Sequence, residues 1–84
     1  MADPVTLDEA KAFLRVTHGA EDGLIATTLA AARQIIEAEL GLALTEASPA
    51  PIRLAILRLA AAAYDGREAP NVDPWLKPYR PVRL

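Results

Sequence analysis

Residues 22–41 read DGLIATTLAAARQIIEAELG, and this stretch decides the fold. Its apolar residues recur every three to four positions, which places them on one side of an α-helix. Gly41 follows the last of them, where a left-handed residue commonly ends a helix. We therefore predict a helix over about residues 21–40. Its broad apolar arc comprises Leu24, Ile25, Thr28, Leu29, Ala32, Ile35, Ile36 and Leu40.

Charged residues of this helix fall in two places. Arg33 and Glu37 lie one turn apart, opposite the apolar arc, and are predicted to pair. Glu39 falls inside the arc by helical angle. We expect it either to splay out at the helix end or to meet an arginine from elsewhere in the fold.

The segment before this helix opens with a capping box at residues 6–9, TLDE. In this motif the Thr6 hydroxyl accepts from the Glu9 amide, and the Glu9 carboxylate reaches back to the Thr6 amide. A first helix over about residues 7–16 follows, ending near Val16.

The segment after it contains a stop-and-restart signal at residues 48–51, SPAP, and a glycine at position 66. These signals predict a third helix over about residues 51–65. It has two apolar stripes, and we expect the first, with Ile52 and Ile56, to face the core. The second stripe, Leu54, Leu57 and Ala61, is predicted to form a subunit interface. Arg53 and Arg58, which separate the two stripes, are predicted to join it. Alternatively, the C-terminal segment covers this second stripe.

The tail differs in character because residues 70–84 hold four of the seven prolines. Proline favours a first helical turn but forbids a long helix, so we predict a short turn at about residues 74–77 and then an extended arm. This divides the chain into a helical domain, 1–75, and a docking arm, 76–84, whose removal is expected to leave the domain folded. Alternatively, Trp75 and Leu76 fold back as ordinary core. The residues predicted to dock are Trp75, Leu76, Tyr79, Arg80, Val82, Arg83 and Leu84.

Composition supports a single all-α domain of three main helices. The 84 residues are 52% hydrophobic, too apolar for a disordered chain, and contain no cysteine, which excludes disulfides and thiolate metal sites. Chains this short often gain stability by forming oligomers. No apolar run reaches membrane-spanning length, and the first residues lack the pattern of a signal peptide, so we expect synthesis and retention in the cytoplasm.

Charge is distributed unevenly along the chain. Residues 1–48 carry eight acids and three bases, whereas residues 49–84 carry three acids and six bases. Copies of such a subunit would attract head to tail. The alternative is that the charges serve only solubility.

Catalytic constellations are missing from the sequence. His18 is the single histidine, one histidine without cysteine cannot build a zinc site unless several carboxylates join it, and no hydroxyl residue is spaced to form a nucleophile–base pair with it. We expect no enzyme activity, no metal, no cofactor and no small-molecule substrate. A second hypothesis is a small helical DNA-associated regulator that uses the basic C-terminal tail, although the net charge is −2.

Four groups of motifs occur in a definite order. Residues 6–16 (TLDEAKAFLRV) and 21–25 (EDGLI) come first, followed by residues 36–41 (IEAELG). Residues 51–57 (PIRLAIL) then lead to 64–68 (YDGRE), and residues 76–80 (LKPYR) close the series. This order resembles the head–tail connector family of tailed phages, in the short form found in siphophages, related prophages and gene transfer agents.

The resemblance implies a structural virion protein, made in the bacterial cytoplasm and located in the particle neck. Such proteins form a ring of about a dozen copies, the closed cyclic symmetry typical of oligomers. The implied partners are the portal protein on one side and a head-completion, stopper or tail protein on the other. DNA passes through the channel without being read.

Overall fold

Every regular element of the chain is helical in the part that the structure describes, residues 3–79 of a computed structural model. Helix α1 spans Leu7–Leu14, α2 spans Asp22–Leu40, α3 spans Ala50–Asp65 and α4 spans Asp73–Leu76, followed by a 3₁₀ turn at Lys77–Tyr79. The predicted all-α class is confirmed, and each predicted helix lies within two residues of its observed ends. None of these helices combines the length and hydropathy needed to cross a bilayer.

Helix α1 begins at the predicted capping box. The Glu9 amide donates to Thr6 Oγ1 at 3.1 Å, and the Thr6 amide donates to Glu9 Oε1 at 3.0 Å. The helix ends two residues earlier than predicted because Arg15 adopts the left-handed conformation, with φ of 61°. The Val16 amide then donates to the Lys11 carbonyl at 2.9 Å, closing the chain reversal that ends many helices.

Helices α2 and α3 form the largest packing interface of the fold. Both end at the predicted glycines, Gly41 and Gly66, which have φ of 69° and 71°. A side chain is strained in this conformation, so glycine ends both helices at low cost. The Gly41 amide donates to the Glu37 carbonyl at 2.8 Å, and this bond satisfies one of the last free carbonyls of α2.

Prolines lie at the start of two helices, α3 and α4, as predicted. Pro49 takes the position before α3, and Pro51 lies in the first turn of the helix. Before α4, Val72 takes that position, and Asp73 is the first helical residue. The 3₁₀ turn includes Tyr79, where the sequence predicts an extended arm, and residues 80–84 of that arm lie outside the described part of the chain.

One apolar core joins α2, α3 and α4. The α2–α3 pair supplies most of its volume, and the segment before α1 and the loop after α2 close its ends. Its buried members are Val5, Ala32, Ile36, Leu40, Leu44, Ile52, Ala55, Ile56, Ala60 and Leu76.

The charged residues of α2 discussed above, Arg33, Glu37 and Glu39, lie outside the buried core. Arg33 Nε is 4.0 Å from Glu37 Oε1, as predicted, and Arg33 Nη1 is 2.5 Å from Asp3 Oδ1. Glu39 is solvent-exposed near the helix end. Glu39 therefore lies away from the core, although its helical angle places it inside the apolar arc.

Candidate interaction surfaces

The two arginines of the predicted subunit interface already have partners within the subunit. Arg53 pairs with the Glu9 carboxylate, and its Nε donates to the Pro4 carbonyl at 3.0 Å. Arg58 is exposed, and its guanidinium carbon lies 5.3 Å from the centre of the Trp75 ring. Arg53 therefore ties the start of α1 to α3, while Arg58 ties α4 to α3.

The apolar members of the same predicted interface divide between core and surface. Ala61 is buried and Leu57 packs half-buried against the core, whereas Leu54 is 39% exposed. Trp75 of the C-terminal segment covers part of this stripe. This is the alternative that the sequence left open. Leu54 and Arg58 remain at the surface. We call the residues Leu54, Leu57, Arg58 and Ala61 the α3 outer face.

The residues predicted to dock onto a partner lie in two different settings. Leu76 is 1% exposed and belongs to the core, and Trp75 and Tyr79 pack half-buried against it. Helix α4 thus crosses the predicted boundary between residues 75 and 76. Arg80, Val82, Arg83 and Leu84 lie outside the described residues. Leu76 belongs to the packed domain, and an arm beginning after Tyr79 remains a proposal.

A second surface lies on α2, where sequence reasoning assigned every apolar residue to one core-facing arc. Ile35 is 54% exposed and Leu24 is 50% exposed, and they are the two most exposed large apolar side chains of the described residues. Thr28 and Ala31 lie between them on the same side, at helical spacing. We call the residues Leu24, Thr28, Ala31 and Ile35 the α2 outer face. The apolar arc of α2 is wider than the contact with α3 alone can cover. This width was the feature of the sequence that could have indicated a second, exposed apolar surface.

A groove of about 190 Å³ runs beside this face, between α2 and α3. Thr28, Ala31 and Ile35 form part of its wall and so join it to the α2 outer face. Its other lining residues are Ala32, Leu59, Ala62, Ala63, Arg67 and Ala69. Arg67 is the single charged residue of the lining, and it is paired with Asp65 at 3.0 Å.

Charges at the ends of the helices are used mainly to tie the elements together. Lys11 of α1 and Asp22 of α2 form an ion pair, with 2.8 Å between Lys11 Nζ and Asp22 Oδ1. The Tyr64 hydroxyl is hydrogen-bonded to the Glu21 carboxylate, which raises the pKa of Tyr64 and links α3 to the start of α2. Arg53, Arg58 and Arg67 are also engaged with groups of the same subunit.

The single histidine lies in the exposed loop between α1 and α2. His18 Nδ1 accepts from the Ala20 amide at 3.3 Å, a local contact that shapes the loop. Among residues 3–79, no group of histidine and carboxylate side chains is arranged to hold a metal ion.

Comparison with known protein families gives a match. The model of the phage gp6-like head-tail connector protein family matches residues 4–73, from the segment before α1 to the first residue of α4. No curated protein and no solved structure matches the chain. Head–tail connectors are structural components of the phage particle and associate with other head and tail proteins. The chain belongs to the phage gp6-like head-tail connector family and is a structural virion protein, not an enzyme.

Proposed function

We propose that the chain is an adaptor subunit that forms a ring in the neck of the particle, between the portal and the tail-side proteins. The ring has about a dozen copies in closed cyclic symmetry. DNA passes through its channel, and no base is read. In this account the particle is that of a phage or of a gene transfer agent.

The observation that supports assembly best is the exposed α2 outer face. Residues 23–32 of α2 carry no charge, although 24% of the chain is charged. Depletion of charge at the centre of a patch is the compositional mark of protein–protein interfaces. On a member of the connector family, such a patch favours contact with another subunit or another particle protein.

The C-terminal arm is the proposed contact with the portal or a neighbouring subunit. Residues 80–84 read RPVRL, which combines two arginines with two apolar side chains. A segment of this composition suits a groove with an acidic rim. Trp75 and Tyr79 then serve to hold the base of the arm against the domain, not to enter the partner themselves.

Co-production with the portal of the same phage or prophage tests the proposal. We expect the chain to co-purify with the portal and to appear as a ring on it in electron micrographs. A chain that never binds the portal or enters particles would contradict the proposal. If it instead bound short duplex DNA with strong salt dependence, the hypothesis of a DNA-associated regulator would replace it.

A further inference from the structure

Helix α1 is attached to the rest of the molecule less firmly than the other helices. None of the described residues that make up the apolar core or pack against it lies in α1. Of the helical residues Leu7–Leu14 only Ala10 is buried, and an alanine removes little apolar surface from water. We infer that α1 is a latch, which opens as a unit while α2 and α3 stay folded and opens more often as the salt concentration rises.

Open clefts border α1 at both of its ends. Leu7 lines a cleft of about 180 Å³ with Leu29 of α2 and Ile56 of α3. Phe13 lines another cleft, of about 200 Å³, with Ala61 of α3. Well-packed protein interiors leave few spaces larger than a water molecule. Both ends of α1 therefore lack part of the packing that would hold a helix in place.

Two ion pairs supplement this packing. Lys11 Nζ lies 2.8 Å from Asp22 Oδ1 at the start of α2, and the Glu9 carboxylate pairs with Arg53 of α3. The side chains of Glu9, Asp22 and Arg53 are each more than a third exposed. An ion pair at such a site changes an equilibrium by about fivefold or less and is weakened by salt. Salt therefore shifts the latch toward its open form.

The chain on either side of α1 is anchored independently of it. Val5 is 2% exposed in the core, and the Pro4 carbonyl accepts from Arg53 Nε at 3.0 Å. Ile25, in the first turn of α2, is fully buried. A helix as short as α1 does not hold its conformation alone in water, so residues 7–14 become a loop between these two anchors when they leave their seat. Because α1 contacts both α2 and α3, its opening joins the two clefts into one groove.

Hydrogen exchange of the backbone amides of the full chain, measured by NMR at increasing urea, tests the latch. After correction for intrinsic rates, we expect the amides of residues 11–14 to exchange at least tenfold faster than those of residues 56–60 in α3. The exchange of α1 should depend only weakly on urea, because a local opening exposes little surface. Between about 0.01 M and about 1 M sodium chloride, the α1 amides should become about two- to fivefold faster.

A matched pair of variants isolates the ion pair. Lys11→Gln removes the charge and is expected to accelerate exchange of the α1 amides about two- to fivefold at low salt. Salt should then accelerate them less than in the wild type. Lys77→Gln is the control, because Lys77 is the second of the two lysines, is exposed, and forms no ion pair among the described residues. It should leave exchange in α1 unchanged.

Two results would overturn the inference. If the α1 and α3 amides exchange at one rate with the same dependence on urea, α1 opens only when the whole chain unfolds. If α1 exchanges fast but responds neither to salt nor to Lys11→Gln, the ion pairs do not control the opening. The measurement needs no other particle protein, so either result leaves the proposed ring to be tested separately.

Discussion

The guanidinium of Arg58 lies over the indole ring of Trp75, with 5.3 Å between the guanidinium carbon and the ring centre. One residue comes from α3 and the other from α4, so the contact fixes the C-terminal segment on the helical domain. It also orients Arg58 at the edge of the α3 outer face. The sequence predicted that Arg58 joins an interface and that Trp75 docks onto a partner, and the structure brings these two residues together.

This contact predicts an energetic coupling between the two residues. A cation over an aromatic ring at a partly exposed site contributes about 0.5–1 kcal/mol. A double-mutant cycle of Arg58→Ala and Trp75→Phe, followed by urea unfolding, should give a coupling energy of that size or smaller, since the phenyl ring retains part of the attraction. Thr17→Ala, in the loop before α2, should add to Arg58→Ala without coupling. Equal additivity in both pairs would refute the contact.

The burial of Leu76 predicts a large loss of stability when its side chain is cut back. Removing a buried leucine side chain to alanine costs about 2–5 kcal/mol. Leu76→Ala should therefore lower the free energy of unfolding by an amount in this range, measured by chemical denaturation. The neighbouring exposed substitution Lys77→Ala should change it by less than about 0.5 kcal/mol.

The same burial changes the truncation that tests the arm. Deletion of residues 76–84 would take Leu76 out of the core and confuse unfolding with loss of docking. Deletion of residues 80–84 should instead leave the helical circular dichroism and the unfolding midpoint intact and abolish co-purification with the portal. Wild-type co-purification of that truncated chain would contradict the proposed arm.

The Glu9 carboxylate predicts a dependence of stability on pH. The hydrogen bond from the Thr6 amide is the main cause that lowers the pKa of Glu9 below 4.5, and the Arg53 guanidinium adds to it. A carboxyl group with a lowered pKa in the folded state contributes stability above its unfolded pKa and loses it as the pH falls through the folded value. The unfolding midpoint should therefore fall on acidification below about pH 4.5.

A matched variant isolates this group. Glu9→Gln keeps a side chain that can still cap the Thr6 amide but does not titrate. It should show a shallower fall in the unfolding midpoint over the same pH range than the wild type. If the two proteins lose stability in parallel, Glu9 is not the group responsible.

The left-handed conformation of Arg15 predicts that glycine stabilises the end of α1. A non-glycine residue in this region is strained by about 1 kcal/mol, and glycine removes that strain. Part of the gain is lost because glycine also raises the conformational entropy of the unfolded chain. Arg15→Gly should therefore raise the free energy of unfolding by about 0.5 kcal/mol. Ala12→Gly, at an exposed position inside α1, should lower it by about 1 kcal/mol. Destabilisation by both would argue against the observed cap.

Local signals along the chain were sufficient to predict the helices. The capping box at Thr6 and the glycines at 41 and 66 act through contacts with residues only a few positions away, so the sequence alone displays them. The predicted end of α1 was wrong because no such local signal marks it. Arg15 carries no side-chain preference for the left-handed region, so its residue type does not mark the end of α1.

The surfaces required knowledge of which helix covers which. Ile35 and Ile36 are adjacent in one apolar arc, and only the position of α3 decides that Ile36 is buried and Ile35 exposed. Likewise, the sequence alone is equally consistent with Leu76 in an arm and Leu76 in the core, because three prolines divide α4 and the tail into short segments. Contacts between distant parts of the chain settle such cases.

An electron cryomicroscopy map of the neck of the purified particle is the decisive measurement for the proposed function. We expect a closed ring of this chain between the portal and the tail-side proteins. A neck without density for this chain, or with the chain bound as single copies, would contradict it.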